Sequence, residues 1–237
     1  SGVFKQIYSA DDGVNGLHVV HQCQPDLVIC DIMMPHMDGF EFCRLLKSDI
    51  QISHIPVILL TARDNPDSLA AGYKLGADFY LAKPFDDVLL TVIRNLLWNR
   101  EQIKNYYRDA VQVSIMPKNQ TFSNADEQFL LKLNKLVLDN IDNSDLDVKY
   151  LTVEMGMSRA SLYNKVKALT GLGVNDLINR IRIEQAMRLL TDTDIPIAEV
   201  SERIGFSNAR YFSTCFKQFT SMTPREYREQ KRNEPSA

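Results

Sequence analysis

The chain has 237 residues, of which 45% are hydrophobic and 24% are charged, and its formal net charge is −3 at pH 7. This composition is ordinary for a folded domain and excludes the disordered and fibrous classes. At roughly 100–200 residues per domain, the length fits one large domain or two small ones. No apolar run approaches the ~20 residues that span a bilayer, and the amino-terminal residues lack the apolar core of a signal peptide, so we expect a cytoplasmic location.

Cysteine usage gives no sign of a metal site or of a disulfide framework. The four cysteines show no CxxC pair and no metal-ligand spacing, and the histidines show no zinc pattern. We expect the thiols to be buried small hydrophobic groups in a reducing compartment. They belong to Cys23, Cys30, Cys43 and Cys215.

Basic and acidic residues are nearly balanced in both halves. Residues 1–122 contain 11 Lys and Arg against 14 Asp and Glu, and residues 123–237 contain 16 of each. A nucleic-acid-binding function must therefore rest on where the basic side chains lie, because their total shows no excess.

The first half alternates short β-branched runs with helical patterns, which is typical of βα units around a parallel sheet. The runs DLVICDI and PVILLTA are nearly continuous apolar segments, as expected for strands that are covered on both faces. Predicted strands occupy residues 4–10, 26–32, 56–62 and 79–82. Predicted helices occupy residues 13–22, 38–48 and 66–75, and a long helix begins near Asp86.

The second half shows helical patterns and no strand signal. Glycine- and proline-containing turn signals separate the predicted helices. These helices occupy about 124–141, 147–155, 158–169, 174–190, 196–204, 208–219 and 223–231. Residues 105–122 contain Pro117 and lose helical periodicity after Arg108. We therefore predict one domain over 1–104, a linker over 105–122 and a second domain over 123–237.

Three polar residues stand at the ends of predicted buried strands in the first domain. Asp31 and Thr61 end two of these strands, and Lys83 follows the third. The carboxyl ends of parallel strands converge on one crevice, where ligands bind. A carboxylate can serve as a nucleophile toward phosphorus, while an ammonium and a hydroxyl can bind phosphoryl oxygens. The pattern indicates a phosphoryl-acceptor site.

The segments DLVICDIMMPHMDGFEFCRLLKSD, PVILLTA and GADFYLAKPF together resemble the response-regulator receiver family over about residues 3–100. The resemblance implies an α/β doubly wound, flavodoxin-like parallel sheet and a Mg²⁺ cofactor. It also implies that Asp31 is the phosphorylated aspartate, Thr61 the switch hydroxyl and Lys83 the invariant lysine. Tyr80 matches the aromatic residue that reorients on activation, and Met33 matches the residue whose backbone carbonyl joins Asp31 in binding the metal.

The chain departs from the receiver pattern at its start. The family opens with a strand that ends in two adjacent carboxylates, which hold Mg²⁺, and then a helix. Asp11 and Asp12 stand too close to Asp31 for that pair, since Gly13 precedes Asp31 by only 18 residues. We therefore expect this chain to lack the first strand, the first helix and the acidic pair. Weak Mg²⁺ binding and an unpaired gap in the sheet should follow.

The second domain contains two predicted helix-turn-helix motifs, over 147–169 and 196–219, which are joined by a long helix. Gly156 and Gly205 mark the two turns. Ser158 is the expected N-cap of the second helix in the first motif, and Ser207 or Asn208 has that role in the second motif.

The second helix of each motif has one apolar face and one polar face. The apolar stripes consist of Leu162, Val166 and Leu169 in the first motif and of Phe212, Phe216 and Phe219 in the second, and we also predict core positions for Tyr211 and Tyr227.

The polar faces supply donors and acceptors for base edges and cations for phosphates. The predicted DNA-contacting residues are Arg159, Ala160, Tyr163, Asn164, Lys165, Lys167, Ala209, Arg210, Ser213, Thr214 and Lys217. We expect base contacts from Asn164 and Arg210. Phosphate contacts are expected mainly from Arg159, Lys165, Lys167 and Lys217.

The stretch IPIAEVSERIGFSNARYFSTCFKQFTSMTPREYR resembles the DNA-binding domain of the AraC/XylS family, over roughly residues 124–231. The resemblance implies that both recognition helices enter successive major-groove segments on one face of double-stranded DNA. It also implies two half-sites about one helical turn apart, which agrees with general helix-turn-helix geometry.

The order of these two domains resembles the carboxy-terminal end of a hybrid two-component sensor of Bacteroides-type bacteria. That resemblance implies a histidine kinase domain as partner, within a parent polypeptide that spans the inner membrane. We predict a homodimeric transcription regulator that has no catalytic turnover of its own and is controlled by phosphorylation of Asp31. The alternative is a phosphorylation-independent adaptor whose receiver is only a docking or dimerisation surface.

Overall fold

The computed structural model describes residues 4–62, 76–85, 88–109 and 124–233. The chain separates into two compact units: among the described residues, the first contains those up to 104 together with 124–128, and the second contains 105–109 and 129–233. The two helices that begin at Val88 and Asn124 therefore start in the first unit and end in the second.

The first unit is built on a three-stranded parallel sheet in the order β1-β2-β3. Its elements are α1 (Gly13–Cys23), β1 (Val28–Asp31), α2 (Gly39–Ser48), β2 (Val57–Ala62), β3 (Phe79–Lys83) and α3 (Val88–Asp109). Val28 lies opposite Val57 in the first pair of strands, and Ile58 lies opposite Phe79 in the second pair. The predicted helix over 66–75 and the predicted helix start at Asp86 lie outside the described residues.

Helices cover both faces of this sheet, which confirms the doubly wound class. On one face, Val20 of α1 and Phe42 and Leu46 of α2 pack against Leu59. On the other face, Val92 and Ile93 of α3 pack against strand residues such as Ile58 and Leu81. The alternation of side chains along each strand sends successive apolar residues into the two cores.

The prediction of a strand over residues 4–10 is wrong. The segment has no strand structure and all of its residues are exposed. A strand requires a neighbour for its backbone hydrogen bonds, and β1 forms the edge of the sheet within the described part of the chain. Without a strand beside it, a β-branched and aromatic segment has nothing to pair with. Ile7 is consequently 79% exposed, and Ile29 of the edge strand is 41% exposed.

The second unit is all helical, as predicted. Its elements are α4 (Asn124–Asp139), α5 (Val148–Met155), α6 (Arg159–Thr170), α7 (Val174–Asp192), α8 (Ile197–Arg203), α9 (Ala209–Thr220) and α10 (Pro224–Asn233). α3 of the first unit continues to Asp109, so a helix covers the first residues of the predicted linker. Residues 110–122 of that linker lie outside the described residues.

Helix ends in the second unit follow the expected capping chemistry. Ser158 accepts a hydrogen bond from the amide of Ser161 at the start of α6, and Asn208 accepts from the amide of Tyr211 at the start of α9. Asn208, and not Ser207, is thus the cap of α9. The turn glycine Gly205 has φ 76°, a conformation that glycine adopts without strain.

α7 is the central helix of the second unit. It packs against α6, α8, α9 and α10. Its carboxy-terminal half contributes Ile183 and Met187 to a core that also holds Phe212 and Phe216 of α9. The apolar stripe predicted for α6, Leu162, Val166 and Leu169, is buried as well.

All four cysteines are free thiols. Cys30, Cys43 and Cys215 are buried, as predicted, whereas Cys23 is half-buried. Burial raises the pKa of Cys30 to about 12 and that of Cys43 to about 11, so both remain protonated and unreactive near neutral pH. Within the described ranges, no helix is both long enough and apolar enough to cross a membrane.

Candidate functional site

The three polar residues predicted at strand ends lie at the same edge of the sheet. Asp31 and Lys83 are the last residues of β1 and β3, and Thr61 is the next-to-last residue of β2. Asp31 stands opposite Leu60, and Thr61 stands opposite Ala82, so the three side chains occupy neighbouring levels of one parallel sheet. The site is therefore assembled by strand register, with one residue from each strand.

Asp31 and Lys83 form an ion pair through Oδ2 and Nζ. The other carboxylate oxygen, Oδ1, accepts a hydrogen bond from the Met33 amide at 3.2 Å. Partial desolvation opposes ionisation of Asp31, but the hydrogen bonds from Lys83 and Met33 and the charge of Lys83 outweigh it. The pKa of Asp31 is therefore below its ordinary value, and the group is an ionised carboxylate at neutral pH. The Asp31 side chain is 38% exposed, so part of the carboxylate is accessible to solvent.

A close backbone approach shapes the loop that follows Asp31. Gly39 begins α2 and its amide donates to the carbonyl of Ile32 at 2.9 Å. A Cβ atom at Gly39 would overlap the carbonyl oxygen of Asp31, so only glycine allows this contact. Asp38 caps α2 by accepting from the amide of Glu41. The loop is thus closed at its base, next to Asp31.

Thr61 and Tyr80 point away from solvent. Thr61 is 7% exposed and its hydroxyl donates to the carbonyl of Ala62 at 3.1 Å. Tyr80 is also 7% exposed and belongs to the core that α1 and α2 form with the sheet. Both predicted switch residues are therefore buried.

The described residues do not fit a Mg²⁺ site by themselves. Hard cations bind best to several carboxylate and carbonyl oxygens, and one oxygen of Asp31 is already paired with Lys83. No group of three or more His, Cys, Asp or Glu residues is placed to hold a metal ion in the described segments. Asp12 is the N-cap of α1, where its carboxylate accepts from the amide of Asn15.

The second candidate surface is formed by the polar faces of α6 and α9. Nine of the predicted DNA-contacting residues are exposed, and Ser213 is half-buried; the exposed residues are Arg159, Ala160, Tyr163, Asn164, Lys167, Ala209, Arg210, Thr214 and Lys217. Thr214 donates its hydroxyl to the carbonyl of Arg210 at 3.1 Å, and Ser213 bonds in the same way to Ala209. With the Thr214 hydroxyl so engaged, its methyl group is available for apolar contact.

The prediction of a phosphate contact for Lys165 is wrong for this fold. The side chain is fully buried, and its ammonium lies 5.0 Å from the ring centroid of Phe129 on α4. Lys165 follows Leu162 by three residues and precedes Leu169 by four, so helical spacing places it on the apolar stripe. Within the core, the cation lies against the face of an aromatic ring.

Tyr211 was predicted to be a core residue, and the structure shows it 54% exposed beside Arg210. Its hydroxyl accepts from the Asn179 amide at 3.4 Å, and a hydrogen bond with Cys215 raises its pKa. The exposure of Tyr211 could have been predicted, because a residue directly before the buried Phe212 lies off the apolar stripe of the helix.

Comparison with known proteins bears on both surfaces. A model of the response regulator receiver domain matches residues 2–94, and a model of a helix-turn-helix domain matches residues 151–230. The chain is 39% identical over 222 residues to "Histidine kinase P4" of Formosa agariphila. That alignment covers 93% of this chain and 16% of the kinase, so the chain spans only a small part of that relative's length.

A second relative matches over nearly its whole length. The chain is 32% identical over 241 residues to "Transcriptional regulatory protein HptR" of Staphylococcus aureus, which covers 96% of this chain and 88% of that protein. A solved AraC-type transcriptional regulator from Chromobacterium violaceum is 28% identical, with a TM-score of 0.44, over 48% of this chain and 100% of that one. The family matches and the near-complete relative confirm both resemblances: the chain belongs to the two-component response regulators that join a receiver domain to an AraC-type DNA-binding domain and act as transcription regulators.

Proposed function

We propose that Asp31 is the phosphoryl acceptor and that its phosphorylation controls DNA binding by α6 and α9. The observation that carries this proposal is the Asp31–Lys83 ion pair at the carboxyl edge of the sheet. It supplies an ionised, partly exposed nucleophile together with a cation beside it. The chain joins this site to a DNA-binding domain, so phosphorylation can serve as the input signal and DNA binding as the output.

The phosphoryl group that Asp31 accepts comes from a phosphohistidine donor. A carboxylate oxygen of Asp31 forms a bond to phosphorus while the bond from phosphorus to the histidine nitrogen breaks, and that nitrogen takes up a proton. Lys83 offsets part of the negative charge that the phosphoryl group adds. The donor is a histidine kinase domain, and we place it in the same parent polypeptide because of the relative named as a histidine kinase.

The response to phosphorylation is a population shift within the receiver. The Thr61 hydroxyl, which donates to the Ala62 carbonyl at 3.1 Å in this structure, breaks that hydrogen bond and donates to a phosphoryl oxygen instead. Tyr80 lies on the strand next to Thr61 and adjusts its packing with it. The changed surface favours a homodimer.

On DNA, α6 and α9 enter neighbouring major-groove segments of one duplex face, about one helical turn apart. Arg210 and Asn164 read base edges, and the methyl group of Thr214 suits a thymine methyl. Phosphate contacts come from Arg159, Lys167 and Lys217. The functional domains are 1–104 and 123–237, joined by 105–122, and the chain acts in the cytoplasm.

The acceptor assignment is tested by intact mass after incubation with a small phosphodonor such as acetyl phosphate, with and without added Mg²⁺. We expect a gain of one phosphoryl group in the wild-type chain. The Asp31→Asn chain should show no gain, whereas Asp26→Asn, the same change at an exposed aspartate ahead of β1, should match the wild type. Equal gain in the Asp31→Asn chain would refute the assignment.

A matching experiment tests the output. Duplexes selected in vitro by the chain are titrated at several salt concentrations, before and after phosphorylation. A steep fall of affinity with salt and a sequence preference are expected of a DNA-binding regulator. The Asp31→Asn chain, with and without donor, is the control. If the phosphorylated wild type binds DNA with the same affinity and sequence preference as this control, the phosphorylation-independent adaptor is favoured.

A further inference from the structure

A buried arginine lies where three segments of the second unit converge. Arg182, on α7, is 6% exposed. Its Nη2 donates to the carbonyl of Asn143 at 2.6 Å, and its guanidinium lies 5.6 Å from the ring centroid of Phe206. Asn143 belongs to the loop that leads into α5, and Phe206 belongs to the turn between α8 and α9. One side chain therefore contacts the approach to the first helix-turn-helix motif and the turn of the second.

The turn glycine makes this convergence possible. A Cβ atom at Gly205 would lie 2.8 Å from Nη2 of Arg182 and would overlap the carbonyl oxygen of Ile141. The loop after α4, the middle of α7 and the turn before α9 are thus in direct contact. This contact region also reaches α9, the recognition helix of the second motif, because the ring centroid of Phe206 lies 5.5 Å from that of Phe212 on α9.

A purely stabilising role would not require a cation at this position. Arg182 is removed from solvent, and this burial lowers the pKa of its guanidinium. In the described part of the chain no charged group offsets the burial of this guanidinium, and its Nε has no hydrogen-bond partner. An apolar side chain of similar volume is often as stabilising at such a buried position. What an apolar side chain lacks is a planar group that donates to one segment while stacking on another.

We propose that Arg182 is a positioning residue that holds the two helix-turn-helix motifs in one mutual arrangement and so sets which spacing of two DNA segments the chain can bind at once. The inference rests on the proposed DNA recognition by α6 and α9. Two linked binding modules gain affinity only when their geometry lets both bind at once. If the two motifs are held less firmly, we therefore expect the preference for one spacing to weaken, while the affinity for a single DNA segment stays the same.

The test uses the full chain and duplexes that carry both selected segments at the preferred spacing, or with one or two base pairs inserted or removed. A duplex with a single segment serves as reference. We expect the wild type to prefer one spacing by tenfold or more. Arg182→Leu should reduce this preference to about threefold or less, with binding to the single segment unchanged. Arg188→Leu, the same substitution at an exposed position of α7, should behave as the wild type.

Arg182→Lys keeps the charge but loses the planar fork, and it should give an intermediate preference even if Arg182→Leu does not fold. An unchanged spacing preference in folded Arg182→Lys and Arg182→Leu chains would overturn the inference. Equal losses on single and paired segments would also overturn it, because they indicate a purely structural role. Failure of the wild type to bind any duplex specifically would instead refute the proposed DNA recognition.

Discussion

Lys165 lies on the inner face of α6 with its ammonium 5.0 Å from the ring centroid of Phe129, and both side chains are fully buried. The helix that presents Arg159 and Lys167 to solvent thus keeps a further cation inside the domain. Counting basic residues along α6 overestimates the positive charge that its outer face can offer to phosphates. The electrostatic contribution of α6 to DNA binding should come from its exposed residues alone.

Replacing Lys165 by methionine should leave the salt dependence of DNA binding unchanged, because the ammonium does not face solvent. Replacing Lys167 by methionine should reduce the slope of log affinity against log salt by about 1, as for a lost phosphate contact. Fluorescence anisotropy over a salt series measures both slopes. A reduced slope for folded Lys165→Met would show that this side chain leaves the core when DNA binds.

Arg210→Ala should relax specificity at one base pair, with a loss of discrimination of about 1–3 kcal/mol there. The reason is that an exposed guanidinium can bind a guanine edge through two hydrogen bonds. Lys217→Ala, also on the outer face of α9, should weaken binding to all sequences about equally. Binding to a panel of single-base variants distinguishes the two patterns, and an unchanged panel for Arg210→Ala would contradict the base contact.

Removing the cation beside Asp31 should raise the pKa of that carboxyl toward its ordinary value of about 4. The folded-state pKa is lowered by the pair, so its contribution to the free energy of unfolding is present above the unfolded pKa and is lost as pH falls through the folded pKa. Because both groups are partly exposed, we expect Lys83→Met to destabilise the chain by about 0–1 kcal/mol at pH 7. Urea unfolding between pH 3 and 7 and NMR titration of Asp31 provide the measurements. An Asp31 pKa that is equal in Lys83→Met and wild type would contradict the pairing.

Loss of the cap at the start of α9 should destabilise the second unit by about 1 kcal/mol, since Asn208→Ala leaves the amides of Arg210 and Tyr211 without their acceptor. Asn208→Ser retains an oxygen at the same place and should restore most of the stability. Urea unfolding of the three chains makes the comparison. Equal stability of the alanine and asparagine chains would mean that another group caps this helix.

Strand ends and helix caps were accessible from the sequence because their signals are local. The apolar runs that end at Asp31 and Thr61 predicted β1 and β2, and β3 reached one residue beyond its prediction to include Lys83. Ser158 and Asn208 stand directly before helical periodicity and cap α6 and α9. Register then brought the strand ends to one edge, as parallel pairing requires.

The errors arose where the outcome depends on a distant partner or on residue type. Residues 4–10 have strand composition, but strand formation depends on a neighbour that pairs with them. Lys165 was assigned to the DNA face because it is basic, although its spacing from Leu162 and Leu169 places it on the buried stripe. The aromatic ring of Phe129 that accommodates it comes from another helix, which local sequence does not reveal.

α7 has a consequence for how the second unit unfolds. The helix is buried along much of its length, with Leu177 and Ile181 in its first half and Met187 and Leu190 in its second. The two helix-turn-helix motifs therefore share one structural element, and neither can lose it without exposing apolar surface of the other. The pair should melt as a single cooperative block, with the amide hydrogens of α7 among the slowest to exchange with solvent.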